Sequence, residues 1–115
     1  MVEKWCIYWV SLDPVVGSEQ SGTRPALVVS NDIVNEVLPI VTILPLSSVK
    51  DNSHIYPTEV LLSKEISSLP KESVVMIHQI RTISKERLGR QCGKICDEGI
   101  KSNIENVMKS YFDLG

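Results

Sequence analysis

Trp5 to Ser30 reads WCIYWVSLDPVVGSEQSGTRPALVVS, and its change of texture decides the fold. The first six residues, Trp5–Val10, are aromatic and β-branched, which suits a pleated strand, and they stop at Asp13-Pro14, a turn signal. Pro25–Ser30, PALVVS, returns to the same texture. Between them GSEQSGT, Gly17–Thr23, offers hydrogen-bonding groups and flexible glycines but nothing to bury. The stretch therefore predicts two strands joined by a long polar loop.

The same signature recurs at IVTILPL from Ile40, PTEVLL from Pro57 and SVVMIHQI from Ser73, each bounded by Gly, Pro, Asn, Asp or Ser. Five short strands at this spacing predict a small, mostly antiparallel barrel or strongly curved sheet. Pro45 cannot donate to a ladder, so it belongs at an edge, a bulge or the end of its strand. NDIVNEV after Ser30 and SKEISSL after Leu62 are short enough to be single helical turns or loops. From Asp97 onward, Ile100, Ile104, Val107, Met108, Tyr111 and Phe112 recur at three- and four-residue intervals, which predicts an amphipathic C-terminal helix laid on the barrel. A partner is the alternative cover for its stripe.

The chain has 115 residues, 43% of them hydrophobic and 23% charged, so a single globular domain over 1–115 is expected. The longest apolar run, Ile40–Leu46, is far short of the roughly 20 residues of a membrane span. The N-terminus lacks the pattern of a signal peptide, and cytoplasmic residence is the default expectation. Cys6, Cys92 and Cys96 are an odd count that favours free thiols over a disulfide framework. Cys92 and Cys96 with His54 and His78 make only a weak zinc pattern, because the spacing supplies no second compact ligand pair.

The net charge of −2 does not announce a nucleic-acid partner. Distribution says more than the sum: Arg81, Lys85, Arg87, Arg90 and Lys94 stand against Glu86 alone over one stretch. That stretch fits either a solvated face or a phosphate-facing patch.

Two places could carry chemistry. The polar loop fits either a functionless hairpin connection or a mobile substrate loop, and Arg24 favours the second. An arginine held by a following proline at the start of a strand emerges from a rigid base, where its guanidinium can grip a phosphate with two donors. The second place is MIHQIRTISKERL, Met76–Leu88. If SVVMIHQI is one strand, His78 and Gln79 leave opposite faces, and His78 has the side chain suited to proton transfer near neutrality. A histidine bonded at a strand end is the competing reading. No P-loop, nucleophile elbow or H-E-x-x-H motif is present, so no cofactor is expected.

YWVSLDPVVGSEQSGTRPALVVSND, followed by ILPLSS, YPTEVLL and VVMIHQIRTISKERLG, resembles the MazF/PemK toxins of toxin-antitoxin pairs from about Lys4 to the final helix. The resemblance implies a mostly β (α+β) fold, an SH3-like and CcdB-like curved antiparallel barrel with short helices. It implies a homodimer, a MazE-like antitoxin and metal-independent cleavage of single-stranded RNA by attack of a ribose 2′-hydroxyl. The family's catalytic arginine falls on Arg24 and its Ser/Thr at the end of the third strand on Ser47. His78 stands where some relatives carry an acidic residue discussed as a base. RNA contacts are implied for the loop, Ser18, Glu19, Gln20, Ser21 and Thr23, and for Ser48, Gln79 and Arg81, with a structural place as the other reading of Arg81. Trp5-Cys6 departs from the glycine-aspartate pair with which relatives usually begin the first strand, and Ser11 replaces a frequent aspartate.

A non-catalytic DNA gyrase poison on the same fold, resembling CcdB, is the alternative. It would depend on the last residues, YFDLG, whereas the R-P motif and QIRT favour the nuclease.

Overall fold

The opening hairpin forms. In the computed structural model, which describes residues 1–49 and 54–115, β1 (Cys6–Ser11) and β2 (Thr23–Val28) pair antiparallel, with Val10 opposite Arg24 and Ser11 opposite Thr23. β3 (Ile40–Ser48), β4 (Glu59–Leu62) and β5 (Ser73–Met76) fall where the sequence placed strands. Two further strands, β6 (Arg81–Ser84) and β7 (Leu88–Lys94), bring the sheet to seven. RTIS and LGRQCGK lack an apolar β-branched run, so the expected count of five was two short.

The order is β4-β5-β3-β2-β1-β7 with β6 also on β3, and all the pairings are antiparallel. β3 changes partner along its length, with Ile40–Ile43 on β6 and Leu46–Ser48 on β5. Pro45 lies between these two ladders, and the strand runs on past it to Ser48. The expectation that Pro45 would sit at an edge, a bulge or a strand end is corrected accordingly: the gap between the two ladders accommodates its missing N–H.

SVVMIHQI is not one strand. β5 is buried at every position because β3 and β4 flank it, so alternation along it carried no directional signal. The chain leaves the strand at Ile77, whose N–H donates to the Thr58 carbonyl, and Ile80 N–H closes a 3-10 turn over Ile77–Gln79. His78 and Gln79 therefore do not leave opposite faces of a strand.

Three α-helices complete the fold of the described residues. α1 (Asp32–Val37) is capped by Asn31 and α2 (Lys64–Ser67) by Ser63, each side chain accepting from a first-turn N–H. α3 (Glu98–Tyr111) starts at Asp97, whose carboxylate accepts from Ile100 N–H at 2.9 Å. Among the described residues no ladder joins β4 to β7, and α2 lies against β7 in that gap. Gly93 makes the approach possible, because a Cβ there would overlap the Ser67 carbonyl oxygen.

Two buried clusters lie on opposite faces of β1. Cys6, Tyr8 and Val10 join Leu12, Ala26, Val28, Val41, Ile43 and Ile83 on one side. Ile7 joins Leu27, Leu44, Leu46, Leu62, Ile77 and Ile95 on the other, and α3 covers this second cluster with Ile104 fully buried and Ile100, Val107 and Met108 packed beside it. The stripe does not lie on the barrel throughout: Tyr111 and Phe112 are 44% and 48% exposed, because the helix ends at Tyr111 and Phe112 has already left helical geometry.

Trp5 takes a φ of 73°, a conformation that suits glycine. Its N–H donates to Val28 and its carbonyl accepts from Ile95, both at 2.8 Å. The ring packs against the α3 cluster, with the Lys4 and Lys101 ammonium groups 5.1 and 5.7 Å from it. The tryptophan thus keeps a glycine's backbone shape while adding apolar contact under α3.

Candidate functional site

The sheet face that α3 covers at one end is open at the other. Along β1, Ile7 enters the core while Trp9, two residues on and on the same side of the strand, is 37% exposed. Around Trp9 a groove of about 640 Å³ opens, lined on β2 by Thr23, Arg24 and Pro25, on β3 by Leu46, Ser47 and Ser48, and on the connection from α2 to β5 by Leu69, Pro70 and Lys71. Ser21, Gly22 and Ser73 complete it. The groove runs from the uncovered end of this core face, at Trp9, Pro25 and Leu46, to Arg24 and Ser47, which stand at strand positions that alternate toward the other face.

Arg24 and Ser47 come to it from neighbouring strands. Arg24 sits where β2 emerges from the loop, half-buried, and its Nε donates to the Ser21 carbonyl at 2.9 Å. That bond orients the guanidinium through Nε and does not use the Nη pair. Ser47 is half-buried opposite Val74, and Ser48 beside it is exposed.

The loop is tied down by hydrogen bonds, with little apolar cover. Leu12 N–H donates to the Gly22 carbonyl, Gly22 N–H to the Asp13 carboxylate, and Val16 N–H to Glu19 Oε1. Gly17 and Gly22 adopt φ of 58° and 79°, the conformations for which the loop needs glycine. Arg87 Nη1 donates to the carbonyls of Ser11 and Asp13 at 3.1 and 2.6 Å, and Arg81 Nη1 donates to that of Leu12 at 3.3 Å. Two arginines of the basic stretch thus grip three consecutive carbonyls at the loop's start. Gln79 reaches the same loop: its Oε1 accepts from Gln20 N–H at 3.3 Å and its Nε2 donates to the Ser18 carbonyl at 3.4 Å.

Of the residues singled out in the sequence, Ser21, Thr23, Arg24, Ser47 and Ser48 meet in the groove. Ser18, Glu19 and Gln20 lie in the loop beside it, which Gln79 and Arg81 tie down. His78 is not brought to the groove lining: its Nδ1 is 2.9 Å from Thr58 Oγ1, in a turn packed against α3 and β4.

Trp9, Leu69, Pro70, Lys71 and Ser73 were missed. Trp9 looked like one more core residue within an unbroken apolar strand, and the α2–β5 connection reaches the groove only through the tertiary fold. Among the described residues no cluster of three or more His, Cys, Asp and Glu is placed to hold a metal. Burial pushes the Cys6 and Cys92 thiols up, keeping them protonated rather than poised as thiolate ligands.

The fold is thus a seven-stranded antiparallel sheet with a C-terminal helix over one end of a face and an arginine-bearing groove at the other end. Residues 3–111 match the family described as the PemK-like, MazF-like toxin of type II toxin-antitoxin systems, and the chain belongs to that family. It is 36% identical over 98 residues to Endoribonuclease EndoA of Bacillus subtilis (strain 168), covering 85% of this chain and 84% of that one. In structure it resembles the Mycobacterium tuberculosis toxin MazF-mt6, with a TM-score of 0.78 at 25% identity over 96% of this chain and 98% of that one. MazF of Deinococcus radiodurans superposes with a TM-score of 0.82 at 24% identity over 97% and 96%, a likeness of fold.

Proposed function

We propose that this chain is a single-domain endoribonuclease toxin that cuts single-stranded RNA in the groove around Arg24. The observation that carries the reading is the convergence of Arg24 and Ser47, from two adjacent strands, on one groove in a chain of the PemK/MazF toxin family. The ribose 2′-hydroxyl attacks the adjacent phosphorus and gives up its proton to water, and the 5′-oxygen leaves with a proton, giving a 2′,3′-cyclic phosphate and a 5′-hydroxyl. The pentacoordinate phosphorane carries extra negative charge. A guanidinium already oriented by its Nε bond to Ser21 meets that charge without reorganising, and donation to the leaving oxygen is within its chemistry. The Ser47 hydroxyl holds a phosphate oxygen and fixes the line of attack. Ser48, Ser21 and Thr23 flank the phosphate path, while Ser18, Glu19, Gln20, Gln79 and Arg81 shape the loop that bases enter after unstacking. No step of this reaction is assigned to His78, whose ring is bonded to Thr58.

The reaction proceeds without a metal, since the charge work falls to Arg24. The protein acts as a homodimer in the cytoplasm, where a MazE-like antitoxin occludes the groove; solved relatives include an endoribonuclease from a Mycobacterial species in complex with its cognate antitoxin. No helix among the described residues is long and apolar enough to cross a membrane.

The test incubates the protein with mixed-sequence single-stranded RNA in excess EDTA, beside Arg24→Ala, and reads the product ends by mass. Discrete cuts ending in cyclic phosphate are expected from the wild type. Their rate should fall by about 10²–10³ in the variant, as for loss of one transition-state donor. Intact RNA from the folded wild-type protein would sink the reading.

A further inference from the structure

Among the described residues Trp9 is the one large aromatic lining the groove, and its surroundings differ from those of the aromatics that serve the core. Tyr8, its neighbour, is buried in one cluster, and Trp5 packs against the other; Trp9 belongs to neither. It is 37% exposed although it lies on β1, with a strand on either side. Its cross-strand partner on β2 is Pro25, a low flat ring. On the β7 side stands Gly89, where a Cβ would lie 3.5 Å from that of Trp9, so no side chain from that residue rises over the indole.

An indole left open between a proline and a glycine, beside a guanidinium placed for phosphate, has the chemistry of a base-stacking platform. Stacking of a nucleobase on an aromatic face is tolerant of sequence and contributes about as much as any single contact in single-strand binding. We infer that Trp9 stacks on one nucleobase of the bound strand next to the phosphate held at Arg24, forming a nucleotide subsite of the groove. This rests on the RNA-cleaving reading for its biological substrate, yet the stacking itself requires only bases and phosphates.

The test uses Trp5→Phe as the background, leaving Trp9 as the only tryptophan. The probe is mixed-sequence single-stranded DNA, which carries bases and phosphates but no 2′-hydroxyl. Saturable quenching of Trp9 fluorescence is expected. Trp9→Ala should weaken binding by roughly 5- to 150-fold, and Trp9→Phe should recover most of the loss. With RNA, Trp9→Ala should raise KM while changing kcat little, whereas a merely structural role would lower melting temperature and kcat together. Unquenched fluorescence at saturating DNA, or a folded Trp9→Ala that binds as the wild type does, overturns the platform. If the wild type cuts RNA in that event, the nuclease reading stands alone. Quenching by DNA together with intact RNA would keep the platform and reject the nuclease.

Discussion

The two ends of one sheet face are built by different forces. At the α3 end Ile104, Ile7, Leu27 and Ile77 are fully buried, and the cover is held by apolar area removed from water. At the groove end Trp9, Pro25 and Ser48 stay partly exposed, and the adjacent loop is held by arginine and glutamine side chains bonded to its backbone. Apolar burial fixes an element strongly and without direction, while hydrogen bonds at a wet edge contribute little net free energy but set direction. The cover therefore carries the stability, and the hydrogen bonds at the open end set the direction of the loop beside the groove.

The sharpest way to break this division is Ile104→Ala. Truncating a fully buried isoleucine under the helix costs about 2–5 kcal/mol, read by urea denaturation. Arg24→Ala should leave the denaturation midpoint nearly unchanged while cutting is lost. Equal destabilisation by the two variants would refute the division.

Gly93→Ala comes next. Its new methyl would overlap the Ser67 carbonyl and press on the Ile7 side chain 3.3 Å away, so α2 or β7 must shift at a cost of about 1–3 kcal/mol. The seam between α2 and β7 is then shown to depend on one missing side chain. Wild-type stability in this variant would mean that α2 is free to move off β7.

How legible each end was in the sequence follows from the same contrast. α3 announced itself, because burial on one side of a helix leaves a period that Ile100, Ile104, Val107 and Met108 obey. β1 to β5 were found by their apolar texture, but β6 and β7 contribute mostly half-exposed or exposed residues and left no such trace. In the groove, Arg24 was visible through the proline that follows it and Ser47 through family resemblance. Trp9 was hidden because both faces of β1 are apolar, so nothing in WCIYWV marks which residue emerges from cover. Gln79 and Arg81 were legible as residues of interest, but their bonds to Ser18, Gln20 and Leu12 span about sixty residues or more of chain and exist only once the sheet is assembled.

Arg87→Ala probes the directional ties alone. It frees the carbonyls of Ser11 and Asp13 at the water-facing start of the loop, so the stability change should be about 1 kcal/mol. Cleavage should fall by roughly tenfold as the loop and the Arg24 base lose register, since small misplacements cost rate steeply. Arg87→Lys should recover only part of this, because an ammonium lacks the planar fork. A large stability loss without a rate effect would place Arg87 with the cover rather than with the chemistry.

The smallest effect is expected at the frayed end of the cover itself. Phe112 and Leu114 are largely exposed and lie beyond the last helical residue, flanking a shallow apolar hollow with Trp5 and Met108. Deleting Phe112 to Gly115 removes little buried area, so the shift in stability should stay within about 0.5 kcal/mol. RNA cleavage should stay within twofold of the wild type, because none of these four residues lines the groove. If growth arrest is lost while cleavage and folding persist, the toxic act lies with the C-terminal residues, as in a gyrase poison. If arrest persists, toxicity belongs to the groove that Arg24 and Ser47 line.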